Sequence, residues 1–130
     1  MGYDSRLYIV DKHESLVNIP VVIDGEDYGV RKYGEVIGRI EMGKCPVVQN
    51  FMKDMPETDC YIYADDGNTQ IVVDRYDKVM TECPINELLT IVEQAVYEGD
   101  TYRRLTALLS FLKGFKEDNW DDIVVLHYGH

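Results

Sequence analysis

The sequence is poor in most of the features that announce a function. It has three cysteines, Cys45, Cys60 and Cys83, and no C-x-x-C. An odd number at wide spacing argues against a disulfide framework, and reduced thiols in a cytosolic setting are the expectation. A zinc site built on them would need a fourth ligand from His13, His127 or His130, and the spacing favours none. No apolar run nears the roughly 20 residues that cross a bilayer. The start, MGYDSRLYIVDK, has neither the charged region nor the apolar core of a secretory signal, and Arg6 stands where a myristoylation motif wants Ser or Thr. Also lacking are a G-x-G-x-x-G, a Walker-type loop and a G-x-S-x-G elbow, so neither phosphate cradling nor serine catalysis has a motif. Cys83, next to a predicted helix start, is the one thiol placed to be reactive; a half-buried structural cysteine is the simpler reading.

Basic charge is scarce as well. Only 13 Lys and Arg oppose 24 Asp and Glu, for a net charge of −11. Residues 51–130 carry 16 acids against 7 bases, and from Asp54 to Asp77 seven acids meet one base, Arg75. Such a field repels nucleic acid and attracts basic surfaces. Arg103 and Arg104, the adjacent basic pair near Glu98 and Asp100, read as a solvated helix start with local ion pairs.

Tyrosine is plentiful: ten, against three Phe and one Trp. Tyrosine suits half-buried strands, and it also suits interfaces, where a flat ring carries a polar tip.

The periodicity predicts strands first and helices late. Leu7–Val10 is a short apolar run, as in a strand buried on both faces. Val21-Val22-Ile23 ends at the turn signal Asp24-Gly25. Glu35–Met42 alternates, with Val36, Gly38, Ile40 and Met42 on one face. Pro46 to Met55 has helical spacing and Pro56 stops it. Ile85, Leu88, Leu89, Val92, Ala95 and Val96 form one helical stripe after Pro84. Leu105, Leu108, Leu109 and Leu112 form a second, with Gly114 as its stop. Gly99 fits the position after the first helix, and Asp100 can cap the second. Ile123–Leu126 closes the chain as a buried strand. The expectation is one α+β domain over residues 1–130: a mainly antiparallel sheet holding both ends of the chain, with an αα-hairpin on one face.

Tyr63-Ala64-Asp65-Asp66 has the letters of the metal-binding box of reverse transcriptases. Two adjacent carboxylates can hold Mg²⁺, but two-metal chemistry also needs a further carboxylate and a basic groove. Asp66-Gly67 between two β-rich runs is a hairpin signal, and a hairpin tip is the favoured reading. For His127 and His130 an ordinary strand end is favoured over a metal site or a general base.

MGYDSRLYIVDK, KYGEVIGRIEMGK and DCYIYADDGN together resemble small proteins encoded by bacteriophages and prophages. The resemblance implies a cytoplasmic host-cell setting. By analogy of class it suggests an inhibitor of host or defence machinery, anti-CRISPR proteins among them. The leading functional expectation is a non-enzymatic binding protein without cofactor. Its contact surface would comprise Tyr61, Tyr63, Asp65, Asp66, Asp74, Tyr76 and Asp77, facing a basic, nucleic-acid-binding partner protein rather than nucleic acid or membrane. Two alternatives stay open: a small metal-dependent hydrolase or nuclease using Asp65 and Asp66, and an assembly protein that self-associates through residues 84–113.

Overall fold

The computed structural model describes residues 4–12, 18–117 and 122–130. Among them are eight strands and three helices. β1 (Ser5–Asp11), β4 (Glu35–Gly43), β7 (Thr81–Pro84) and β8 (Ile123–Gly129) form one sheet in the order β4-β1-β8-β7, antiparallel throughout. β2 (Asn18–Ile23), β3 (Glu26–Tyr33), β5 (Cys60–Tyr63) and β6 (Gln70–Ile71) form a second, β2-β3-β5-β6, in which only β3 and β5 run parallel. The α+β class and the antiparallel character stand as expected. The strands divide between two sheets rather than filling one.

β1 is the hinge of the packing because both of its faces are apolar. Leu7 and Ile9 point to the helices α1 (Pro46–Met52), α2 (Ile85–Tyr97) and α3 (Arg103–Glu117), meeting Leu88, Val92, Leu105 and Leu108. Tyr8 and Val10 point the other way, against Ile62 of β5, Met80 and Leu126. Both ends of the chain do lie in one sheet: β1 and β8 pair residue for residue from Ser5↔Gly129 to Asp11↔Ile123.

β4 departs from simple alternation. Ile9 faces Gly38 but Val10 faces Val36, so Ile37 is an extra residue and the strand bulges there. Val36 therefore joins the cluster of Tyr8 and Ile62, on the opposite face from Met42. A Cβ on Gly38 would stand 2.8 Å from Phe111 Cζ, so the glycine is what lets α3 approach β4.

The helix punctuation is mostly as read. Pro84 is the N-cap residue of α2, and Gly99 follows its C-cap at φ +94°. α1 ends at Met52, three residues short of the predicted Met55. Gly114 does not stop α3, which continues to Glu117. An interior glycine costs about 1 kcal/mol. Here Phe115 packs on the core and edge-on to Phe111, ring centres 5.0 Å apart, which holds the last turn. Asp100 Oδ1 accepts from Tyr102 N (2.9 Å), a turn just ahead of the helix. Arg104 donates to the Glu41 carbonyl (3.2 Å) and makes no ion pair with Glu98 or Asp100.

Candidate functional site

The Asp65–Asp66 tetrapeptide is a turn between β5 and β6. Ala64 N donates to Thr69 O (2.8 Å) and Gly67, at φ +74°, donates back to Ala64 O (2.9 Å). Asp66 fixes the turn with both oxygens. Oδ1 accepts from Asn68 N (2.8 Å) and Thr69 N (2.9 Å), and Oδ2 from the Thr69 hydroxyl (2.6 Å). These bonds, the hydroxyl first, hold its carboxyl below the usual carboxylate range. Asp65 is tied across to the other sheet by Arg39 of β4, which also holds Glu41 (2.9 Å). Glu41 in turn takes Arg6 (2.5 Å) and His130 (3.2 Å). A guanidinium thus stands between Asp65 and Glu41, and it is Asp66 alone that builds the turn.

The tyrosines of β5 are largely interior. Ile62 faces the first sheet, so Tyr61 and Tyr63 face the other way by strand parity. With Tyr33 they form a ring cluster, centres 5.7 to 5.9 Å apart, backed by Val21 and Val72. Tyr61 is 3% exposed, and its burial pushes the hydroxyl pKa up. It offers no area to a partner; Tyr63 offers a part.

Asp74 is likewise committed. It is buried, and its Oδ1 accepts from Tyr76 N (2.8 Å) and Lys78 N (3.1 Å), closing the loop between Val73 and Val79. Arg75 N pins that loop to Gly129 O of β8 (3.1 Å). Tyr76 and Asp77 remain on the surface, Asp77 in the left-handed region at φ +59°. Asp65 and Asp77 lie beyond opposite ends of the β5–β6 pair. The acidic set read as one surface is therefore split in two.

The structure brings Asp77 to acids that the sequence reading left out. Tyr28 of β3 donates to Glu26 (2.9 Å). Its hydroxyl pKa is raised by that bond first, and also by the charges of Glu26, Asp77 and Asp24. Asp24, at φ +52°, and Gly25 turn β2 into β3 and place Asp24 and Glu26 there. Asp24, Glu26 and Asp77 are exposed, and none forms an ion pair with a described residue. The Asp24-Gly25 signal was readable, but β3 was not: Gly29 at φ +76° breaks its alternation, which hid the β2–β3 hairpin that carries Glu26 and Tyr28.

Asp59, Cys60 and Glu82 come together with metal-ligand spacing. Lys12 Nζ lies 2.9 Å from both Asp59 and Glu82, and Thr58 Oγ1 donates to Glu82 (2.7 Å). The ammonium already supplies the positive charge. All three thiols are buried, and burial pushes Cys60 up to about 11 and Cys83 up to about 12. Cys83 is packed on Met52 and is not activated. His127 and His130 face opposite sides of β8. His127 Nε2 lies 2.8 Å from Ser5 Oγ, and burial lowers its pKa to about 4, so the ring is neutral at pH 7. Among the described residues no helix is long and apolar enough to cross a membrane. Compared with protein-family models, curated proteins and solved structures, the chain matches none.

Proposed function

We propose that this is a non-enzymatic binding protein whose acidic, tyrosine-bearing surface docks on a basic face of a partner protein. The supporting observation is a group of exposed acids, Glu26 hydrogen-bonded to Tyr28 and Asp24 and Asp77 whose charges also bear on that hydroxyl, none of them ion-paired with a described residue. Charge left unpaired on a surface speeds association with an opposite charge and fixes register. Contact area is at hand: Tyr76 is 47% exposed, and Val22 and Val30 on the β2–β3 hairpin are 60% and 68% exposed. Such apolar exposure beside charge suits a protein interface. The resemblance to phage proteins makes host or defence proteins that grip nucleic acid the first partners to try, with carboxylates taking the place of phosphates.

The test is capture of partners on the immobilised protein at low salt. It is repeated with a variant carrying Asp24→Asn, Glu26→Lys and Asp77→Asn. Asparagine is used at 24 and 77 because it tolerates positive φ, where lysine would strain the turns. A salt-sensitive basic partner held by the native protein and lost by the variant is the expected result. Equal capture by the folded variant defeats the proposal. Asp65→Asn, at the other end of β5–β6, should leave capture intact.

A further inference from the structure

Behind the Asp74 loop is a recess of about 120 Å³, about four waters' worth of space, lined by Lys53, Asp74, Lys78, Val79, Thr81 and His127. Its chemistry runs against the charge of the rest of the chain. Lys53, at the C-terminal end of α1, and Lys78 are exposed, and neither makes an ion pair with a described residue. Thr81 Oγ1 is buried with no hydrogen-bond partner among the described residues. A buried hydroxyl left unmatched is costly, so a ligand oxygen there would be favoured. Asp74 uses Oδ1 for two backbone N–H groups, while Oδ2 accepts no hydrogen bond from the described residues. The lining thus offers two cationic donors, one hydroxyl and one carboxylate oxygen. Two ammonium groups against one carboxylate exclude a metal cation and favour an anion. The carboxylate oxygen asks that this anion also carry a proton.

We propose that the recess binds a protonated phosphate group. Lys53, Lys78 and the Thr81 hydroxyl would donate to its oxygens, and its P–O–H would donate to Asp74 Oδ2. Sulfate has the same shape but no proton at neutral pH, and would set a bare oxygen against Asp74. The site shares the Asp74–Lys78 loop with Asp77 of the acidic surface but none of that surface's residues.

Calorimetric titration of the whole protein at fixed ionic strength tests this, with inorganic phosphate, sulfate and phenyl phosphate as probes. Phosphate should bind at least about tenfold more tightly than sulfate, the scale of one charge-assisted hydrogen bond. The double variant Lys53→Ala/Lys78→Ala, at exposed positions that should fold, should weaken phosphate by about tenfold or more. Thr81→Val should weaken it less. At about pH 5.5, where a phosphate monoester with a second pKa of about 6 still carries its proton, phenyl phosphate binding as well as phosphate would assign the site to a terminal phosphoryl group; exclusion of it would assign the site to the free anion. No binding at millimolar phosphate overturns the proposal. So does sulfate binding equally well, or unchanged affinity in the folded double-lysine variant.

Discussion

His127 should make the protein lose stability in mild acid, well before its carboxylates protonate. The ring is 5% exposed and pairs with the buried Ser5 hydroxyl. Burial takes its pKa from 6.5 down to about 4, and the Asp74 charge offsets this only in part. The unfolded chain therefore binds a proton through this pH range that the folded chain does not. The sign follows: the stabilisation is complete above about pH 6.5 and is lost as pH falls toward 4. The slope is at most about 1.4 kcal/mol per pH unit, and between pH 7 and pH 5 the loss is about 2 kcal/mol. Asp59, Glu41 and Asp66 have lowered values, so their contribution disappears only below the normal carboxylate range. The two windows are separable. Urea unfolding of the native protein and of His127→Gln would be compared at pH 7 and pH 5. Glutamine can still bond Ser5 but does not titrate here. The native protein should lose about 2 kcal/mol more than the variant over this interval. An equal loss in both would refute the reasoning, because groups other than His127 would then carry the acid sensitivity.

Three further outcomes are expected. Gly38→Val should destabilise by about 1 to 3 kcal/mol in urea titration, since its side chain enters the place of the Phe111 ring, and Phe111→Ala in the same chain should recover part of that. Lys12→Met should cost about 1 to 3 kcal/mol at pH 7 in the same urea titration by leaving Asp59 and Glu82 together without their ammonium. A thiol reagent should modify none of the three cysteines in the folded protein and all three in denaturant; rapid labelling of Cys83 in the native state would contradict its burial.

Some of this architecture was legible because single residues state it. The run Leu7–Val10 is apolar at both parities, so β1 had to be covered on both faces. Pro84 and Gly99 have backbone preferences that few other positions accept, so they bounded α2. β3 and the end of α3 were hidden for the same reason in opposite senses. Gly29 breaks a strand pattern without ending the strand, and Gly114 lies in a helix that Phe115 holds by tertiary packing. The acidity of the Asp54–Asp77 segment was visible, but its allocation was not. Asp66 and Asp74 spend their charge on nearby backbone N–H groups, and Asp65 spends its charge on an arginine 26 residues away. Asp59 meets Glu82 across Lys12, and the charge of Asp77 bears on Tyr28 of β3 together with Asp24 and Glu26, neighbours that no local pattern encodes.

The pairing of β1 with β8 bears on how the chain is made. Asp4 and His130 exchange both backbone hydrogen bonds, at 2.8 and 2.9 Å, and β8 is also the strand on which β7 pairs. β1 must therefore wait for β8, made much later, before its sheet has a centre. Until then Leu7, Tyr8, Ile9 and Val10 are an apolar segment with one partner at most, β4. The β2–β3 hairpin has no such dependence and can close early. Closing so long a loop is slow, so the nascent chain passes through a state with half of its main sheet unmade. In that interval the segment around Leu7 is the natural target for chaperones and for self-association.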